Sequence, residues 1–165
     1  MFDYAQRRRR LEARLEAEEV GTLFLGPSAD LEYLTGLERQ IPNFGELSYA
    51  HGWVTGAFFR PGADPVFLLP RMFAVLDLHE LPEGEVVVVN ETDDGAAIFE
   101  RVARGLDVAG AVAVGDRVWA ETTLQLARIF GTDRLRTGTQ LVGVLLRCYH
   151  ERLPPRRSDH DQKSP

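Results

Sequence analysis

The sequence predicts an α/β protein, a three-layer α/β/α sandwich with a mixed sheet in the middle. Three observations predict it. Short apolar runs at residues 22–25, 85–89 and 111–114 lack polar alternation, as strands covered on both faces do. Segments with helical spacing, most about ten residues long, separate them. Between residues 49–60 and 66–69 lies Pro61-Gly62-Ala63-Asp64, a turn sequence that joins two adjacent strands as a hairpin and so makes the sheet mixed.

Residues 2–19 read as the first helix. Leu11 and Leu15 form its apolar stripe at i, i+4, with Tyr4 and Glu18 on the same side. The run Arg7-Arg8-Arg9-Arg10 could mark an anion-binding patch. Four acids close by, Glu12, Glu16, Glu18 and Glu19, favour a solvated, internally balanced face instead.

The stretch from 20 to 36 is the organising unit. Thr22, Leu23, Phe24 and Leu25 form a buried strand, and Gly26-Pro27-Ser28 breaks it because proline offers no N–H to a sheet. A short helix follows, with Asp30 as its expected cap, Leu31 and Leu34 on one face and Gly36 as its stop. Residues 37–48 form an aperiodic loop of about a dozen residues, a length often functional.

Gly52 and Gly56 inside the strand at 49–60 indicate a bulge or close packing. Residues 71–79 read as a helix with Met72, Val75, Leu76 and His79 at helical spacing. The four valines at 86–89 form another buried strand. Thr92-Asp93-Asp94 starts a helix that runs to about Gly105 and carries Ala96, Ala97, Ile98, Arg101 and Val102. After the strand at 111–114, residues 120–130 form a helix with Leu124, Ala127 and Phe130 on one face. Gly131 caps it, and Arg134-Leu135-Arg136 forms a last edge strand.

A family resemblance rests on the same residues. Asp30-Leu31-Glu32-Tyr33-Leu34-Thr35-Gly36 resembles the N-x-x-Y-L-T-G signature of the creatinase/prolidase N-terminal domain. Residues 51–70, HGWVTGAFFRPGADPVFLLP, resemble that family's strand–turn–strand hairpin, 71–78 its next helix, and a looser likeness continues to about residue 139. The resemblance implies a ribonuclease-H-like mixed sheet, in agreement with the residue-level reading. It assigns residues 1–140 to that domain and 141–165 to a truncated connector with a polar, proline-bearing, disordered tail.

In that family this domain precedes the metal-dependent pita-bread domain of aminopeptidase P, Xaa-Pro dipeptidases and creatinase. The resemblance therefore implies a non-catalytic chain, in a homodimer, that contributes dimer contacts and gates a substrate channel. Two divalent metals (manganese, cobalt or zinc) would belong to the missing catalytic domain, and none to this chain. By position, the channel-gating residues are Glu38, Arg39, Gln40, Asn43 and Phe44 of the loop, with His51 and Trp53 after it.

Bulk properties and the rest of the chemistry agree. At 165 residues the chain suits one domain that buries roughly 70% of its unfolded surface. A net charge of −6 argues against nucleic-acid binding, and no apolar run approaches the ~20 residues of a membrane span. One cysteine, Cys148, and no secretory signal point to the cytoplasm. His51, His79, His150 and His160 lack metal-ligand spacing, and no G-x-S-x-G or phosphate-binding glycine loop occurs. Asp30, Asp64, Asp94 and Asp116 sit at turns and helix starts, where capping accounts for them. The competing expectation is a stand-alone module that binds a protein or a small ligand through its sheet edge or loop.

Overall fold

The computed structural model describes residues 3–38, 49–78 and 80–143. The chain runs through helix α1 (Tyr4–Ala17), strand β1 (Val20–Leu25), helix α2 (Ala29–Thr35), a 3-10 turn (Gly52–Val54) and strands β2 (Gly56–Arg60) and β3 (Ala63–Pro70). Helix α3 (Arg71–Leu76), strand β4 (Glu85–Val89), helix α4 (Gly95–Gly105), strand β5 (Ala111–Val114), helix α5 (Ala120–Phe130) and strand β6 (Leu135–Thr137) follow. The strands form one sheet in the order β4-β3-β2-β1-β5-β6. β2 is antiparallel to both of its neighbours and every other pair is parallel, so the hairpin does make the sheet mixed.

Period-two alternation sends successive side chains to opposite faces. Leu23, Leu25, Phe59, Phe67 and Leu69 meet Leu11 and Leu15 of α1, Leu31 and Leu34 of α2, and Phe73 of α3. Phe24, Phe58, Val66 and Leu68 meet Phe99 and Ala103 of α4 and Leu126 and Ile129 of α5. Both faces of the central strands are covered, which is why residues 23–25, 56–59, 66–69 and 111–114 carry no polar side chain. Phe24 packs edge-on against Phe58 and Phe99, with ring centroids 4.8 and 5.7 Å apart. Truncating this fully buried ring to alanine removes about 3–5 kcal/mol.

Helix ends follow local chemistry. Asp3 Oδ1 accepts from the Gln6 N–H at 2.8 Å and Asp94 Oδ1 from the Ala97 N–H at 3.0 Å. α2 corrects one expectation: its cap is Ser28, whose Oγ accepts from the Leu31 N–H, whereas Asp30 lies inside the first turn. Gly36 ends α2 in the left-handed region, φ +76°, with its N–H on the Glu32 carbonyl.

Other expectations change as well. Residues 49–55 are not strand. His51 adopts φ +60°, the chain makes a 3-10 turn, and pairing begins only at Gly56. Gly56 does mark close packing, because a Cβ there would lie 2.4 Å from the Leu25 carbonyl oxygen. α3 stops at Leu76 and buries Phe73, leaving Val75 and Leu76 exposed; His79 lies outside the described residues. β4 is an edge strand, not one buried on both faces, with Val88 exposed. α4 buries Phe99 and Ala103, and Ile98 and Val102 are only partly covered. α5 turns Thr122, Leu126 and Ile129 inward while Leu124 is 71% exposed.

The arginine run is not a uniformly solvated face. Arg8 is buried and reaches Glu83 at 2.6 Å. Arg7 lies over the Tyr33 ring, 4.2 Å from its centroid, and donates to the Tyr33 carbonyl at 2.7 Å. Arg9 and Arg10 remain exposed. Beyond β6, residues 139–143 are helical, and Leu141 and Val142 join the core on the α1 side.

Candidate functional site

In the described structure the segment indicated by the sequence is flanked by Gly36, where α2 ends, and by Tyr49. Leu37 is buried in the α1–α2 layer and Glu38, next to it, is exposed. Tyr49 packs against the same layer and its hydroxyl donates to Asp77 Oδ2 at 2.7 Å. Arg39, Gln40, Asn43 and Phe44 lie outside the described residues.

His51 and Trp53 come together, though not as strand neighbours. The His51 imidazole packs on the first residue of α4, where a Cβ on Gly95 would lie 2.6 Å from Nδ1. His51 Nε2 is buried with no hydrogen-bond partner among the described residues. The Trp53 ring lies 5.3 Å from that of Phe99, and its carbonyl accepts from Thr122 Oγ1. Both residues therefore belong to the α4–α5 layer, whereas Glu38 leaves from the α1–α2 layer. Hydrogen bonds from the Asn90 backbone and side-chain amides hold the Asp93 carboxyl below its ordinary range, with smaller contributions from His51 and Arg101.

Sequence reasoning missed a pair of carboxylates. The Asp30 carboxyl is raised above its ordinary value, first by burial and then by the charge of Asp116. The turns that follow parallel strands β1 and β5 bring them near each other: a Cβ on Gly26 would lie 2.4 Å from the Arg117 carbonyl oxygen. The signal was present as Gly-Pro-Ser and Gly-Asp-Arg after two parallel strands, at the carboxyl ends where α/β sheets form sites. Among the described residues no group of three or more His, Cys, Asp or Glu is placed to hold a metal ion.

A separate cleft of about 300 Å³ opens where β3 and β4 meet the second half of α4, lined by Arg60, Val66, Glu85, Val87, Arg101 and Leu106 among others. Arg60 Nη1 donates to the Leu106 carbonyl at 2.8 Å, and its Nε is buried without a partner among the described residues.

These features define a three-layer α/β domain built on a mixed six-stranded sheet. Its fold is that of the creatinase/prolidase N-terminal domain. The N-terminal domain of an X-Pro dipeptidase from Streptococcus pyogenes superposes with a TM-score of 0.60 at 14% identity, over 86% of this chain and 99% of that one. A prolidase from Thermococcus sibiricus gives 0.70 at 19% identity, over 88% of this chain and 37% of its own. The dipeptidase PepE of Mycobacterium ulcerans gives 0.62 at 27% identity, over 87% and 37% respectively. The chain thus spans 37% of the length of those two longer proteins. It matches no family model and no curated protein.

Proposed function

We propose that the chain acts as the non-catalytic N-terminal domain of a metallopeptidase of the Xaa-Pro dipeptidase or aminopeptidase P type. It contributes dimer contacts and gates the substrate channel of a metal-dependent peptidase domain in the cytoplasm. The observation that carries this reading is the likeness, over 86% of this chain and 99% of the other, to the N-terminal domain of an X-Pro dipeptidase. The flanking residues add support: Leu37 and Tyr49 are both held in the α1–α2 layer, on either side of the proposed gate of Glu38, Arg39, Gln40, Asn43 and Phe44. His51 and Trp53, packed on α4, complete the proposed gating set. The two divalent metals, manganese, cobalt or zinc, would be held by the peptidase domain. No described helix is long and apolar enough to cross a membrane.

The test is peptide hydrolysis by the purified 165-residue chain with added manganese or cobalt. No turnover of an Xaa-Pro dipeptide is the expected result, and metal-dependent turnover would overturn the reading. The arginine-lined cleft favours a second reading, a stand-alone module for a small ligand or a protein. Co-purification of a bound small molecule would favour it.

A further inference from the structure

The cleft between the end of α4 and strands β3 and β4 has a use that the proposed gate does not supply. Its volume of about 300 Å³ is that of the smaller ligand pockets. Val66 and Val87 line it from the sheet and Val102 from α4, so its middle is apolar, and Val87 and Val102 are only partly covered. Gly105, the last residue of α4, also lines it, and a Cβ there would meet nothing within 4 Å.

The charges in the cleft are of both signs and stand apart. Val66 pairs with Phe58 of β2 on one side and with Glu85 of β4 on the other. Glu85 is therefore two strands from β2, roughly 10 Å, and Arg60 lies a further two residues along β2 from Phe58. The Arg60 guanidinium is tied down where it is: Nη1 donates to the Leu106 carbonyl at 2.8 Å, and that neutral acceptor is its one hydrogen-bond partner among the described residues. Arg60, Glu85 and Arg101 take no part in the ion pairs of the described residues. Arg101 is exposed and is also a minor charge neighbour of Asp93. The cleft thus offers a held guanidinium on the β2 side, an exposed carboxylate on the β4 side, and valines between them.

We propose that this cleft binds a short apolar peptide of two or three residues with both termini free. Its carboxylate sits on Arg60 with Arg101 alongside, its ammonium on Glu85, and its side chains on Val66, Val87 and Val102. Charge selects each end of the ligand, because Glu85 repels a second anion and Arg60 a second cation. Length selects as well: a residue spans at most about 3.3–3.6 Å, so a single amino acid holds its two charges too close together to engage both sides. The inference rests on the small-ligand reading of the cleft and not on the gate.

The test is titration of the ¹⁵N-labelled 165-residue chain with valylvaline, its N-acetylated form, its C-amidated form and free valine, followed by amide chemical shifts. Saturable shifts confined to residues around Arg60, Val66, Glu85 and Val102 are expected for valylvaline at millimolar concentration. Blocking either terminus, or using valine, should weaken binding about tenfold or more. Glu85→Gln should weaken valylvaline to a similar degree and leave the N-acetylated form unchanged, while Gly105→Leu should fill the cleft and abolish binding of both. Both positions are exposed, and far-UV circular dichroism of each variant separates lost binding from lost folding. No saturable shift, or shifts that Gly105→Leu does not remove, would overturn the site. Equal binding of valine or of the blocked forms would overturn the peptide as ligand and leave the small-ligand reading standing. None of these outcomes bears on the gate, which the peptidase assay judges.

Discussion

Arg8 of α1 donates to the Glu83 carboxylate at 2.6 Å, joining residues 75 positions apart. The two ends of this contact differ: the Arg8 side chain is 9% exposed and that of Glu83 76%. A pair open to water on one side is screened and contributes little through charge alone. Arg8→Ala should lower stability by about 1–3 kcal/mol, because it also removes a buried stem from the α1 layer. Glu83→Gln should cost below about 1 kcal/mol. Urea unfolding of both variants checks this, and equal losses would show that the charge pair dominates.

Gly36 serves two constraints at once. Its φ of +76° penalises any side chain, and a Cβ would lie 2.7 Å from Cζ of Tyr4. Gly36→Ala should destabilise by about 1–3 kcal/mol. Combining it with Tyr4→Ala should recover the steric part and leave the backbone part, which thermal unfolding of the double variant can resolve.

The carboxylates predict opposing pH dependences. Asp30 is raised, so the folded state holds its proton more tightly than the unfolded chain. Its contribution is therefore fully present below the unfolded pKa and is lost as pH rises through the folded value. Asp30→Asn should stabilise the protein at neutral pH by up to about 1 kcal/mol, after allowance for its partial exposure and its favourable place in the first turn of α2. The difference from the parent should vanish near pH 3. Glu91, Asp93 and Glu100 are lowered, chiefly by hydrogen bonds from Arg71, from Asn90, and from Arg104 and Arg128 respectively. Their contribution is present above the unfolded pKa and is lost as pH falls through the folded values, so Glu100→Gln should shallow the acid limb of the stability profile.

What was legible in the sequence was whatever depended on local chemistry. β1 and β5 show as unbroken apolar runs because both faces are covered, and α4 shows its start because Asp94 caps it. What stayed hidden depended on distant partners. α5 offers two stripes, and the buried one includes Thr122, whose hydroxyl is satisfied by the Trp53 carbonyl 69 residues away. No periodicity can reveal that. α3 has only six residues, too few for spacing to separate Phe73 from Val75 and Leu76. Ser28 and Asp30 are both cap formers two residues apart, so the choice between them needed the turn geometry. For the gate, the sequence identified His51 and Trp53 but placed them on a strand. Their seat depends on a glycine 44 positions beyond His51, at the start of α4.

That seat yields the last prediction. A helix generally gains from Gly→Ala, by up to about 1 kcal/mol in its interior. At Gly95 the new methyl would lie 2.6 Å from His51 Nδ1 and 3.0 Å from Cγ, too close for the ring to stay. Gly95→Ala should therefore destabilise, by about 1–2 kcal/mol. His51→Gly removes the ring and relieves a backbone at φ +60°, so the double variant should be more stable than the sum of the single changes by at least about 0.5 kcal/mol. A double-mutant cycle by urea unfolding measures this coupling. Additive effects would mean that the imidazole has other room, and that residues 49–55 are fixed by Tyr49 and Trp53 without it.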